Sequence, residues 1–434
     1  MATQHSMSSG TQASSGLTDV TRWRSRILYI TASSPIPSKL GPARRNYHIL
    51  DQLCRFYDVT HLSLGSRAEA EMFAHEFGDR VPDHTFVDPR NGRHRKAAQK
   101  IWRTITGRCD FAPVLESRLH EACAQLTATQ SFDAIFLSIV LLQGLPLPKR
   151  TPVVGDTHNV EFDVLRQTAA NAEGSARRLY SQVQWRSMRR AERRCAHAVD
   201  LLLATSERDR QVFEHELQLH DVGLVANGID LREFAPRRCS SEPGVILFTG
   251  LMSYYPNQQA VRWFLDSIFP SIRKRYPAVK FVVGGAAPPA WLVARQNDFI
   301  EVTGGVPDMR PHLARASVFI APLRIGGGTR VKILEAAAMN RVVVSTALGA
   351  QGLGLTHGKN VLIADDAESF ADCVLRALED PAAASRMAAA SREHVKLHFD
   401  WERIGEGLAR LLDDRLKLAS REAPRGPLRE RGRE

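Results

Sequence analysis

The sequence predicts an α/β protein made of two doubly wound, Rossmann-like parallel-sheet domains, and three observations carry that prediction. The chain has 434 residues, more than one ordinary core accommodates. Short runs that are apolar throughout alternate with longer helical patterns, and the alternation is completed twice. Strands of that kind are covered on both faces, as in parallel sheets. Glycines or small residues close several runs of the second half, at the strand ends where open α/β sheets bind ligands.

Taken in order, the strand candidates of the first half are RILYIT (26–31), DVTHLSL (58–64), HTFVD (84–88), DAIFLSI (133–139), PVVGDT (152–157), LLLATS (201–206) and LVAN (224–227). A polar, Pro-containing stretch, 226–244, follows, so the first domain is placed at 24–230 and the linker at 231–243. The second half, 244–400, supplies VILFTG (245–250), KFVVGG (280–285), IEVTGG (300–305), VFIAPL (318–323), RVVVST (341–346) and VLIA (361–364). FDWERIGEGLARLLDDRLKL (399–418) is an amphipathic helix. Residues 1–23 and 419–434 are expected to be disordered tails.

Apolar residues make up 44% and charged residues 24% of the chain, the balance of a globular protein. It contains no apolar run long enough for a transmembrane helix. Residues 1–23 lack the apolar core of a secretory leader. Six cysteines, at 54, 109, 123, 195, 239 and 373, are scattered without a C-x-x-C, which points to the reducing cytoplasm and to no metal site. The net charge of +11 concentrates in two segments. Residues 90–108 hold seven Lys or Arg and no acid, interleaved with Ile101, Trp102 and Ile105; residues 177–194 hold seven arginines and one acid, Glu192. Such helices suit an anionic membrane surface, which would make the protein peripheral on the inner face of the cell membrane; a solvated helical face or a loop reads equally well. No recognition module accompanies the charge, so nucleic acid is not an expected partner.

The most specific stretch runs from Val318 to Leu353. An apolar strand leads into three glycines, Gly326, Gly327 and Gly328, then Thr329, then a helix that opens with Arg330 and Lys332 and carries Glu335. Glycines let backbone amides approach a ligand closely, and a helix start attracts anions. Arg330 and Lys332 add full charges suited to a phosphate or pyrophosphate. Glu335 can accept hydrogen bonds from sugar hydroxyls. Both halves of a nucleotide-sugar thus find a grip here.

Gly326-Gly-Gly-Thr-Arg-Val-Lys332 followed by Leu334-Glu-Ala336 resembles the donor-binding signature of retaining glycosyltransferases of the GT-B fold, family 4, in the sub-pattern GGGTR-x-K-x-LEA. The resemblance is strong over 318–353, fair over 224–305 and thin before 150. It implies two domains facing across a cleft, with the nucleotide-sugar donor on the second and the acceptor on the first. It also implies a last helix, about 402–418, that returns to the first domain. The implied reaction moves a sugar, with retention, from a UDP- or GDP-sugar to a glycan or lipid-linked acceptor, in cell-surface polysaccharide or glycoconjugate assembly. The sequence has no Asp-x-Asp pair or His/Asp cluster for a metal. Departure of the leaving group therefore falls to Arg330, Lys332 and helix starts, with no cofactor beyond the co-substrate.

Two departures from the family pattern stand out. The usual pair of glutamates is here Gly327 and Glu335, and the Arg and Lys that follow the first strand of the second domain are missing from Gly250-Leu-Met-Ser-Tyr-Tyr-Pro-Asn257. Arg330 and Lys332 are expected to supply that charge. Tyr254 and Asn257 are possible ligands, or Asn257 caps the helix that follows. In the first domain, Gly155-Asp-Thr-His158-Asn-Val-Glu161 ends a strand, and His158, with a near-neutral pKa, would touch the donor sugar or move a proton. It reads otherwise as a structural histidine in a loop capped by Asp156 or Asn159. The Gly41 loop is implied to approach the donor phosphates and acceptor. Ser206-Glu-Arg-Asp209 reads as a capping box. Backbone groups of Gly305 and Val306, rather than Asp308 and Arg310, are expected to meet the base. Alternatives are a GT-B phosphorylase with a Lys332 Schiff base, an epimerase, or a degenerate nucleotide-sugar-binding or scaffold protein.

Overall fold

A computed structural model describes residues 24–37, 41–88, 117–170, 175–236 and 241–417. Both tails and the basic segment 90–108 lie outside the described residues. Each of the apolar runs contributes a strand. The first sheet contains β1 (Arg26–Thr31), β2 (Asp58–Leu64), β3 (His84–Val87), β4 (Ala134–Leu137), β5 (Val153–Asp156), β6 (Leu201–Ala204) and β7 (Gly223–Leu224), in the order β3-β2-β1-β4-β5-β6-β7. The second contains β8 (Val245–Thr249), β9 (Lys280–Gly284), β10 (Ile300–Gly304), β11 (Val318–Ala321), β12 (Val342–Ser345) and β13 (Leu362–Ile363), in the order β10-β9-β8-β11-β12-β13. The strand pairs of both sheets are parallel. The order reverses between β1 and β4 and between β8 and β11, the crevices where such sheets take ligands.

Continuous apolarity has its expected cause. Adjacent residues of one strand enter different cores: Ile27 and Tyr29 pack on one face of the first sheet, Leu28 and Ile30 on the other. Ile246 and Phe248 are divided from Val245 and Leu247 in the same way in the second sheet. β7 is shorter than the LVAN run: Val225 N still donates to Ala204 O of β6 at 2.9 Å, but the carbonyls that follow are taken by a side chain. Arg45 donates to the carbonyls of Val225 at 3.0 Å and Ala226 at 3.3 Å, and to Asn227 Oδ1 at 2.9 Å.

The last helix, Trp401–Leu416, packs on the first sheet's helix Gly41–Phe56. Trp401, Leu408, Ala409 and Leu412 join the core of Tyr29 and Leu53, and the Tyr57 hydroxyl donates to Ala409 O at 3.2 Å and Asp413 Oδ1 at 3.0 Å. The two stretches that cross between the sheets run together, with Ile229 N donating to Phe399 O at 2.7 Å. Leu412 is fully buried. Leu412→Ala is expected to cost about 2–5 kcal/mol, seen as a lower urea midpoint; a change under about 0.5 kcal/mol would show that this helix does not hold the first domain. Among the described residues, no helix is long and apolar enough to cross a membrane.

Candidate active site

The second domain supplies a floor of strand ends. Gly250 N donates to Gly284 O at 2.9 Å and Gly285 N to Gly304 O at 3.1 Å, tying the ends of β8, β9 and β10 into one row. A Cβ on Gly285 would sit 1.8 Å from Gly250 O, so only glycine lets these two turns meet. Lys332 reaches this row from the helix Val331–Ala338. Its ammonium donates to Asn257 Oδ1 at 2.8 Å and lies 4.2 Å from the centre of the Phe248 ring. A Cβ on Gly250 would stand 2.8 Å from the Lys332 Nζ. Lys332 therefore brings charge to the end of β8, where the sequence itself has none. Burial pulls its pKa down to about 7, with Glu335 opposing and Arg330 reinforcing the shift.

Asn257 does not cap its helix. It is the third residue of Tyr255–Trp263, whose N-cap Tyr254 makes no side-chain capping bond. Its amide instead bridges Lys332 and the Leu251 carbonyl, to which Nδ2 donates at 2.9 Å. Asn257 thus aims the lysine. Tyr254 is within electrostatic reach of Glu161 from the first domain and Arg330 from the second.

The glycine loop is docked across the cleft. Gly326 N donates to Gln167 Oε1 at 2.9 Å, Gly328 N to Asp209 Oδ2 at 2.9 Å, and the Thr329 hydroxyl to Thr205 O at 2.7 Å. Thr329 Oγ1 also accepts from Asn227 N at 3.1 Å. Two of the amides expected to face a ligand are thus held by the first domain. Gly328 has φ +70°, and a Cβ there would come 2.7 Å from both His158 O and Asn159 Oδ1. Arg330 turns back on the loop, donating to the carbonyls of Gly327 and Gly328. Its guanidinium is buried and straps the loop rather than facing the open cleft. At Gly327, the position of the missing glutamate, a Cβ would lie 3.4 Å from Asp209 Oδ1. An acid of the first domain therefore borders the space that a side chain at Gly327 would fill.

Glu335 is half-buried on the side of the same helix that faces the first domain, and forms an ion pair with Arg44 of the helix Gly41–Phe56. Arg44 also stands 3.7 Å from Glu233 and 5.2 Å from the centre of the Phe234 ring. Any group that reaches Glu335 must share or replace this contact. Burial raises the Glu335 pKa, and Arg44 opposes it.

Beneath the first-domain side lies a sealed pair, Arg45 and Asp156, with two bonds of 2.7 Å and almost no exposure. It fixes the end of β5 and hence the turn that carries His158. The near-neutral pKa expected for His158 does not hold. Burial pulls it down to about 4, although Asp156 opposes the shift, so the imidazole is neutral at physiological pH. It can share a hydrogen bond, but it brings no cation. Glu161 begins the next helix, Glu161–Ala170, and its carboxyl is held above the usual range by burial.

Gly41 opens its helix with nothing within 4 Å of a would-be Cβ. Gly305 and Val306 follow β10 at the far end of the glycine row, while Asp308 and Arg310 pair with each other at 2.8 Å. The structure therefore gathers Gly250, Asn257, Gly326, Gly327, Gly328, Thr329, Arg330, Lys332, Glu335 and His158 around one crevice, and leaves Gly41, Gly305 and Val306 on its borders. Sequence reasoning missed Arg44, Arg45, Gln167, Thr205 and Asp209. Asp209 had a signal: Ser206 does cap its helix, accepting from Asp209 N at 3.1 Å, but the Asp209 carboxylate leaves that box for the glycine loop. Among the described residues, no group of three His, Cys, Asp or Glu is placed to hold a metal ion.

Residues 243–380 match the family described as glycosyl transferases group 1. The matched residues include the glycine row, Asn257 and the whole signature through Glu335. Glycogen synthase of Mycobacterium tuberculosis is 27% identical over 221 residues, 48% of this chain and 51% of that protein. The GDP-mannose-dependent alpha-(1-6)-phosphatidylinositol monomannoside mannosyltransferase of the same species is 30% identical over 164 residues, 34% of this chain and 43% of that one. The alignments thus span about half the length of these relatives or less. Sucrose-phosphate synthase of Thermosynechococcus elongatus superposes with a TM-score of 0.69 at 15% identity, over 91% of this chain and 100% of that structure. At that identity the likeness is one of fold, and the fold is GT-B, two Rossmann-like parallel-sheet domains.

Proposed function

We propose that the chain is a glycosyltransferase that moves a sugar from a nucleotide-sugar to a glycan or lipid-linked acceptor. One observation carries this reading. On the helix that follows the glycine loop, Lys332 and Glu335 share a crevice at the β8/β11 reversal, one presenting an ammonium to the strand ends and the other a carboxylate to the first domain. A nucleoside diphosphate needs the first, and sugar hydroxyls need the second. The relatives named for glycogen synthesis and for GDP-mannose support a UDP- or GDP-sugar as donor. Assembly of a cell-surface polysaccharide or glycoconjugate, on the cytoplasmic side of a membrane, is the setting this chemistry fits.

In the proposed step an acceptor hydroxyl forms a bond to the anomeric carbon as the bond to the diphosphate breaks. The diphosphate leaves with the electron pair, and its oxygen takes the hydroxyl's proton on the same face, so configuration is retained. Two nearby carboxylates are unavailable as nucleophiles: Asp156 is sealed under Arg45, and Asp209 is buried against the loop. Lys332 stabilises the leaving group without a metal. Neutral His158 orients a donor hydroxyl. The test is release of nucleoside diphosphate from UDP- and GDP-sugars, with and without glycan acceptors. His158→Ala is expected to lower turnover by roughly 10-fold or more, the value of a lost hydrogen bond at a reacting sugar, with an unchanged melt. Near-normal turnover would make His158 a structural residue.

A further inference from the structure

The helix Ser175–Ala196 carries a surface that the cleft does not use. Its inner side packs with Phe162 through Met188, Ala191 and Ala196. Glu192, the single acid of the arginine-rich run, also points inward. It is 1% exposed and accepts from Glu161 N at 3.1 Å and Phe162 N at 2.7 Å, closing the start of the neighbouring helix. The segment's acid is therefore removed from its outer surface. Arg189 turns aside as well, donating to Glu216 O at 2.7 Å.

What remains outward has a helical period. Leu179, Val183, Arg186, Arg190, Arg193 and Arg194 are all exposed, and at 3.6 residues per turn they fall on one side of the helix. Leu179 is 69% exposed and Val183 39%, an uncommon exposure for neighbouring aliphatics on one face. Tyr180 stands beside them, 41% exposed. The cations have neutral neighbours: Arg186 lies 4.8 Å from the Trp185 ring centre and donates to Gln182 Oε1 at 2.8 Å, and Arg193 donates to Gln218 Oε1 at 3.3 Å. The face is thus apolar at one end and cationic along the rest.

We propose that this face docks the protein on an anionic lipid surface. Leu179, Tyr180 and Val183 enter the headgroup boundary, and Arg186, Arg190, Arg193 and Arg194 meet lipid phosphates. Charge decides the occupant. A second copy joined through the same face would set four arginines against four, and a nucleic acid backbone would leave the aliphatic end in water. The docking uses no residue of the cleft and stands apart from the transferase reading.

The test is flotation of the full chain with vesicles of phosphatidylcholine alone or with about a third phosphatidylglycerol, read without nucleotide. The unmodified protein is expected to float with the anionic vesicles only and to be released by high salt. Substituting Arg186, Arg190 and Arg194 by Gln together should weaken binding by roughly tenfold or more. The pair Leu179→Ser and Val183→Ser should weaken it with the charge intact. Both variants should keep the parent's circular dichroism melt. Undiminished flotation of the arginine variant would overturn the proposal, as would equal binding to neutral vesicles. So would binding to heparin or DNA, or self-association, without binding to vesicles.

Discussion

Lys332→Ala is expected to weaken nucleoside diphosphate binding by roughly 10- to 100-fold, the equivalent of about 1.5–3 kcal/mol for a hydrogen bond to a charged group. The lysine is the cation that the structure brings to the end of β8, and Arg330 cannot replace it while its guanidinium holds the loop carbonyls. The same residue makes binding depend on pH. Burial holds the ammonium down at about 7, so the free protein is increasingly neutral there as pH rises. A phosphate binds the protonated form. Affinity should therefore fall as pH climbs above 7, by up to about tenfold per unit, and level off below it. Lys332→Arg, which keeps its proton, should flatten this dependence; titration of the nucleotide itself is common to both proteins and cancels. Calorimetric titrations at several pH values would show it. Equal slopes for lysine and arginine would remove Lys332 from the phosphate site.

Glu335→Gln is expected to act on the other half of the donor. Transfer should fall by roughly 10- to 100-fold through loss of charged hydrogen bonds to the sugar, and nucleoside diphosphate affinity should fall less, only because Glu335 also supports the Lys332 ammonium. Stability should change little. The Arg44–Glu335 pair is mostly buried, but Gln keeps an oxygen that can accept from Arg44, and Arg44 retains Glu233 at 3.7 Å. Rates measured at saturating donor, beside nucleotide affinities, separate the two effects. Loss of nucleotide binding in step with turnover would place Glu335 on the nucleotide instead of the sugar.

Most strands were legible because they are apolar at consecutive positions, the mark of burial on both faces; β2, DVTHLSL, is buried on both faces without that mark. The signature was legible because its glycines, cations and acid lie within ten residues of one another. The docking of that loop was not. Asp209 and Gly328 are 119 residues apart, and Arg44 and Glu335 are 291 apart, so spacing carries no trace of either contact. Asp209 shows the difficulty best. Its position three residues after Ser206 describes a helix cap, and the cap exists, yet the carboxylate serves another domain. His158 shows a second limit: its place at a strand end was readable, while the burial that pulls its pKa to about 4 belongs to tertiary packing. Glu192 shows a third. Within a run of arginines it reads as one more surface charge, and only the fold turns it inward.

The central claim is that the crevice at β8 and β11 holds a nucleoside diphosphate through Lys332. The most direct measurement is the thermal shift of the full chain with UDP, GDP and ADP, with and without EDTA, repeated on Lys332→Ala. The account predicts that UDP or GDP alone raises the melting temperature, that EDTA leaves the shift unchanged, and that Lys332→Ala loses it. No shift with any of the three, or an equal shift in the variant, would contradict it.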